Sequence, residues 1–142
     1  MEVVVKIKFS EIRNLVESTT GIYEIYLNDG TPLKVGIAKN LRSRLRMHFG
    51  SKQRRLKIKN CDDPITPNNM QSKQSIFAKH LYFDSTISTT HDLTTETGRV
   101  EFLENCCFLT FQYTESREVA RDIEKEYEKS GKYRYVGRVV KR

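Results

Sequence analysis

Arg44 and His48 are two residues whose types and spacing are suited to chemistry. They lie four positions apart in a segment where Leu41, Leu45 and Phe49 recur every four residues, a period typical of an amphipathic helix. Both side chains would follow one margin of the apolar stripe, one turn apart. A guanidinium can bind an anionic group through paired donors, and an imidazole can transfer a proton near neutral pH.

A basic segment surrounds this helix. No acidic residue occurs between Asp29 and Asp62, and the segment contains Lys34, Lys39, Arg42, Arg44, Arg46, Lys52, Arg54, Arg55, Lys57 and Lys59. Such a block attracts a polyanion, although a solvated surface or a flexible basic loop has the same composition. A second basic cluster could extend the surface through Lys132, Arg134, Arg138, Lys141 and Arg142.

Length and composition indicate one globular domain spanning residues 1–142. The chain has a formal net charge of +7 and 37% hydrophobic residues, which suits a soluble protein. Neither a membrane span nor a secretory signal is recognisable, so we expect a cytoplasmic protein without membrane contact. Three cysteines without CxxC spacing favour neither a disulfide framework nor a zinc site.

The elements that must position Arg44 and His48 begin with a strand at residues 3–9 and a helix from Ser10. The run GIYEIYL predicts a second strand, followed by a turn at Asn28–Gly30 and a third strand around 32–36. The helix containing Arg44 and His48 is predicted over 39–49, where Gly50 ends it.

The sequence after Gly50 predicts little regular structure until the last third of the chain. We expect an irregular segment at 51–71, a helix at 72–82, a loop to about Thr97, and a central strand within 101–113. A last helix starts at Thr114 or Ser116, buries Val119, Ala120, Ile123 and Tyr127, stops at Gly131 and precedes a final strand, RYVGRVV. The order predicts an α/β fold of the α+β sandwich kind, a small mixed sheet flanked by helices.

Three segments together resemble one enzyme family. They are GIY at 21–23, KVGIAKNLRSRLRMHF at 34–49 and EVARDIEKEY at 118–127, and in this order they resemble the GIY-YIG nuclease superfamily. The resemblance covers residues 20–50 and 105–136. It implies a GIY-YIG-like fold with an N-terminal strand–helix extension and an insertion at 51–100.

The resemblance implies a metal-dependent endonuclease that hydrolyses phosphodiester bonds in DNA, with RNA as an open alternative. Glu124 would hold one Mg²⁺ or Mn²⁺ ion, and Arg44 would grip the scissile phosphate. Tyr23 would relay a proton from the attacking water, which requires a pKa depressed below about 10, and His48 would assist. Periodicity alone does not separate Glu124 from Glu126, since both border the apolar stripe.

Two positions depart from the family pattern. Lys34 replaces the tyrosine of the second motif, and Val136 stands where an asparagine usually supports the site. A lysine crowded by Arg44 and a metal has a lowered pKa, so Lys34 could be the base or could contact phosphate. The alternative function is a nucleic-acid-binding module that has kept the fold without turnover, and a third is a protein-interaction domain.

The partner implied by the basic segment is nucleic acid, and cutting both strands would require a homodimer or a partner subunit. The side chains that would contact the nucleic-acid backbone outside the catalytic set are Lys39, Arg42, Arg46, Lys52, Arg54, Arg55 and Lys57.

Overall fold

The computed structural model describes residues 4–49, 76–87, 91, 93 and 95–137. Its sheet has four strands, β1 (Val5–Ile7), β2 (Gly21–Leu27), β3 (Pro32–Ala38) and β4 (Cys107–Tyr113), in the order β1-β4-β2-β3. Helices α1 (Ile12–Leu15), α2 (Leu41–Phe49), α3 (Ile76–Tyr82), α4 (Glu96–Cys106) and α5 (Arg117–Lys129) accompany it, and a 3₁₀ turn at Phe9–Glu11 precedes α1.

The α+β character predicted from the sequence is confirmed, whereas the prediction of a mixed sheet is wrong for the described strands. All three strand pairs, β1 with β4, β4 with β2 and β2 with β3, are antiparallel. A mixed sheet would need a crossover that returns a strand in parallel. The last predicted strand, RYVGRVV, does not supply one, because no strand is assigned up to Gly137.

The chain after α5 nevertheless joins the edge of the sheet. The backbone amides of Arg134 and Tyr135 donate to the carbonyls of Pro32 and Leu33 at 3.0 and 2.7 Å. These two bonds attach the C-terminal segment to β3 without a continuous ladder. Residues 138–140 of the predicted strand lie outside the described residues, as do Cys61 and the predicted irregular segment 51–71.

The β2–β3 hairpin forms as its sequence predicts. Gly30 has a φ of 95°, a left-handed conformation that glycine adopts without strain, and Asp29 accepts hydrogen bonds from the amide and hydroxyl of Thr31 at 2.9 and 2.7 Å. The pairing shifts by one residue between Ile25 and Tyr26, as in a β-bulge. Beyond the bulge, Tyr23 lies opposite Gly36.

Alternation along the strands divides the sheet into two buried faces. One face contributes Tyr23, Ile25, Leu109 and Phe111 to the larger core, which also includes side chains of α1, α2, α3 and α4. The other face contributes Ile22 and Val35, covered by Tyr133 and by Ile123 and Tyr127 of α5. Helices α2 and α5 therefore flank the hairpin on opposite faces.

Two predicted boundaries are wrong. Residues 101–106 belong to α4, because Thr95 caps that helix by accepting from the amide of Gly98 at 3.1 Å, and the adjacent Phe102 and Leu103 are both buried. The strand signal holds only from Cys107. The first helix, predicted from Ser10, begins at Ile12 after the 3₁₀ turn and ends at Leu15, which is 49% exposed.

The predicted limits of α5 are confirmed. Ser116 accepts from the amide of Val119 at 3.2 Å, and Gly131, with a φ of 71°, follows the end of the helix. Ala120 is fully buried, whereas Val119, predicted to be buried, is 39% exposed. No helix among the described residues is both long enough and apolar enough to cross a membrane.

Candidate active site

Tyr23 and His48 form a hydrogen-bonded pair at the centre of the candidate site. The Tyr23 hydroxyl lies 2.6 Å from His48 Nε2, and the Tyr23 side chain is buried. Burial lowers the pKa of His48 to about 3, with further lowering by Lys34 and Arg44. The imidazole is therefore neutral at pH 7, and in the tautomer with its proton on Nδ1 the tyrosine hydroxyl donates to Nε2.

The expectation of a depressed Tyr23 pKa is wrong for the protein without ligand. Burial raises that pKa above its usual range, Arg44 lowers it and Glu124 raises it. Tyr23 is a neutral phenol at pH 7 as a result. A proton can leave it only if another group takes the proton, and His48 Nε2 is in hydrogen-bonding contact with it.

Two motif glycines make room for this pair. A Cβ atom on Gly36 would lie 2.3 Å from the Tyr23 hydroxyl oxygen and 2.5 Å from the ring carbon that carries it. A Cβ on Gly21 would lie 2.3 Å from the backbone oxygen of Gln112 and 2.4 Å from a methyl group of Leu41. Gly36 thus lets the tyrosine ring lie across β3, and Gly21 lets α2 approach β2.

Lys34 points to the same sheet face as Tyr23. It pairs with Ile25, a core residue of that face, and it is two residues from Gly36 on β3. The predicted lowering of the Lys34 pKa is confirmed in direction: burial is its largest cause, Arg44 adds to it, and Glu124 and Glu128 oppose it. Lys34 is therefore less hydrated than a surface lysine.

Glu124 is the carboxylate of α5 that approaches this group. It is partly buried, whereas Glu126 is exposed, so burial separates two residues that periodicity could not. Burial raises the pKa of Glu124, Glu128 raises it further, and Lys34, Arg121 and Arg117 lower it. Because Glu124 also acts on the pKa of Tyr23, the carboxylate and the phenol share one electrostatic environment.

Arg44 is exposed on α2 and its charge reaches the buried groups. It lowers the pKa values of Tyr23, Lys34 and His48. An exposed guanidinium whose charge reaches a partly buried Tyr–His pair can bind an anion from solvent through paired donors. Arg44 thus acts on Tyr23, Lys34 and His48, while Glu124 acts on Tyr23 and Lys34.

The donor set around Glu124 suits an ion that retains most of its own water. Among the described residues, no group of three or more His, Cys, Asp and Glu side chains is placed to hold a metal ion. Mg²⁺ is commonly bound through one or two carboxylates plus phosphate oxygens and waters, and Glu128 stands one helical turn from Glu124. The residues present therefore fit a Mg²⁺ or Mn²⁺ ion bound together with a phosphate, and do not form a closed protein cage.

One wall of the site comes from a region that the sequence left without a role. Phe77 of α3 meets the His48 ring edge-on, with 5.3 Å between centroids, and Tyr135 meets Phe77 at 6.3 Å. The Tyr135 hydroxyl donates to Asp84 Oδ2 at 2.9 Å, and the Arg134 guanidinium forms an ion pair with the same buried carboxylate. Within the helix predicted at 72–82, Phe77 and Leu81 are core residues.

The predicted nucleic-acid contacts divide into three groups. Lys39 and Arg46 are exposed and available to a polyanion. Arg42 is partly buried and donates to the backbone carbonyl of Arg13, so it joins α2 to α1. Lys52, Arg54, Arg55 and Lys57 lie outside the described residues.

Two residues of the C-terminal basic cluster have acidic partners within the protein. Arg134 pairs with Asp84, and Lys132 Nζ lies 3.4 Å from the Glu24 carboxylate. The position that departs from the family pattern, Val136, is 46% exposed. The remaining members, Arg138, Lys141 and Arg142, are outside the described residues.

Comparison of the chain with protein-family models, curated proteins and solved structures finds no match. The functional interpretation accordingly depends on the motif residues and their geometry.

Proposed function

We propose that this protein is a metal-dependent endonuclease of the GIY-YIG kind, which hydrolyses phosphodiester bonds in DNA. The observation that carries the proposal is the partly buried Tyr23–His48 hydrogen bond of 2.6 Å beside three charged groups, Lys34, Arg44 and Glu124, that act on its two members. Neutral acid–base partners next to anion-binding cations are what in-line attack of water on a phosphodiester requires.

The proton pathway follows from the protonation states. The attacking water gives one proton to the Tyr23 oxygen as the Tyr23 proton passes to His48 Nε2, and the resulting hydroxide bonds to phosphorus. The bond from phosphorus to the leaving sugar oxygen breaks, that oxygen takes a proton from solvent, and the imidazolium returns its proton to solvent. Lys34 and Arg44 both lower the pKa of His48. Burial is the largest cause of the lowered pKa, and a bound phosphate would offset only the part that the two cations add.

The charged residues bind and orient the substrate. Arg44 presents paired donors to two phosphate oxygens and stabilises the charge that develops on them. Lys34 either contacts the phosphate or, through its lowered pKa, accepts a proton. Glu124 would hold Mg²⁺ or Mn²⁺, which supplies charge neutralisation at the phosphate when it is bound.

A nicking assay on supercoiled plasmid DNA with Mg²⁺ or Mn²⁺ tests the proposal. We expect cleavage by the unaltered protein and a loss of about 10²-fold or more in Glu124→Gln, as for other strong electrostatic groups in active sites. Glu126→Gln is the matched control, because this exposed carboxylate lies on the same helix, and it should cleave normally. Equal cleavage by the two variants would contradict the assignment of Glu124.

The alternative is a binding module that retains the fold and the basic face without turnover. It is favoured by Lys34 and Val136 at the two positions that depart from the family pattern. It predicts salt-dependent retention of DNA and no nicking under any of these conditions. Repeating the cleavage assay with RNA in place of DNA shows which of the two nucleic acids is the substrate.

A further inference from the structure

An open cavity of about 450 Å³ lies beside the candidate site, where β2 begins and β3 ends. It is lined by Thr20, Lys39, Arg117, Glu118 and Arg121. Three of the five lining residues are cations and one is an anion. Its local charge therefore favours an anion.

Two elements hold these cations in place. Lys39 follows β3, and its backbone carbonyl accepts from the Thr20 hydroxyl at 3.2 Å. Arg117 and Arg121 are one turn apart on α5, whose first turn is fixed by the Ser116 cap. The cavity is thus a junction of a strand end and a helix face, both part of the hairpin–α5 unit that carries Glu124.

Two of the lining residues share one stripe of α5 with Glu124. Arg117, Arg121, Glu124 and Glu128 follow one another at spacings of four, three and four residues, which places them on one helix face. Arg121 and Arg117 both lower the pKa of Glu124, in agreement with this stripe. The helix therefore presents first two cations and then the proposed metal-binding carboxylate.

We infer that the cavity formed by Lys39, Arg117 and Arg121 binds a phosphate of the same nucleic-acid strand, next to the scissile phosphate. The inference rests on the proposed function. At 1.5 Å per residue, Arg121 and Arg117 stand roughly 4.5 and 10.5 Å along the helix axis from Glu124. A strand of B-form DNA carries a phosphate about every 3.4 Å of its axis, so the phosphate bound in the cavity is one to three nucleotides from the cut. Because the cavity binds a phosphate on only one side of the scissile phosphate, it sets the direction in which the strand crosses the site.

Salt-dependent binding tests the inference. Affinities of a labelled duplex oligonucleotide are measured over a range of salt concentrations for Arg117→Gln/Arg121→Gln and for the control Lys125→Gln/Lys129→Gln, which removes two exposed cations from the same helix outside the stripe. Both pairs are placed in a Glu124→Gln background to prevent cleavage, and circular dichroism verifies folding. The cavity variant should reduce the slope of log affinity against log salt by about 0.9, the value for one lost phosphate contact, while the control leaves it nearly unchanged.

Charge-neutral methylphosphonate linkages, introduced one at a time, locate the contact. Neutralising one phosphate within about three nucleotides of the cut, on one side only, should weaken binding by the Glu124→Gln protein and have no further effect in the cavity variant. Equal slopes for the two charge-removal variants, or equal sensitivity on both sides of the cut, would overturn the inference while leaving the nuclease proposal in place. If the unaltered protein neither binds nor cuts nucleic acid, both fail.

Discussion

Tyr23 and His48 lie 25 positions apart in the sequence and are joined by a hydrogen bond in the structure. The motif around each residue made both candidates, but periodicity could not show that their side chains are in contact. Burial also reversed one expectation, since it raises the pKa of Tyr23. A side chain's type can be taken from the sequence, but the desolvation that sets its protonation state depends on which elements cover it.

The buried neutral state of His48 predicts a pH dependence of stability. An unfolded histidine titrates near pH 6.5, whereas burial holds the folded pKa at about 3. The unfolded chain therefore binds the extra proton first, and the free energy of unfolding falls as pH drops from about 6.5 toward 3. His48→Gln removes this contribution.

Urea unfolding of both proteins at about pH 7.5 and about pH 5 measures the difference. The unaltered protein should lose more stability on acidification than His48→Gln does. Parallel losses would show that His48 is accessible to protons in the folded state, contrary to the structure.

At the level of elements, the hairpin and α2 were predictable because each is specified locally. Turn residues fix β2 and β3, and a four-residue apolar period fixes α2. The boundary between α4 and β4 was not, since the apolar run continues from helix into strand and only the Thr95 cap and the tertiary packing locate the change. The role of α3 was also hidden, because Phe77 reaches His48 through contacts distant in sequence.

Asp84 connects α3 to the C-terminal segment, and its loss should weaken that connection. Burial would raise its pKa, but hydrogen bonds from Arg134, Thr86 and Tyr135 hold the pKa at about 2. Asp84→Asn keeps the shape and removes the charge, so we expect a destabilisation of about 1.5–3 kcal/mol at pH 7, the range for a hydrogen bond to a charged group.

Asp84→Asn should also remove the part of the loss of stability at acid pH that comes from protonation of Asp84. A carboxylate whose folded pKa is depressed contributes stability above its unfolded pKa, near 3.9, and loses it as pH falls toward about 2. Thermal unfolding across this range measures this loss, with the exposed Glu115→Gln as control. An Asp84→Asn protein as stable as the control at pH 7 would show that the connection is unimportant.

On the scale of the whole molecule, the candidate site is a product of topology. One hairpin and two helices on opposite faces of an antiparallel sheet bring together residues from positions 23 to 124. Sequence reasoning named these residues through three short motifs. It could not supply the sheet order, the open cavity next to α5, or the wall formed by Phe77, because each arises from packing between segments that carry no mutual signal in a single sequence.

The central claim is that Tyr23 and Glu124, from opposite faces of the sheet, serve one reaction. Single-turnover cleavage rates for Tyr23→Phe, Glu124→Gln and the double variant test it directly, since residues that act as a unit are strongly non-additive. The account predicts that each single variant loses most of the rate and that the double variant is scarcely slower than the slower single variant. Losses that multiply, or normal cleavage by either single variant, would contradict it.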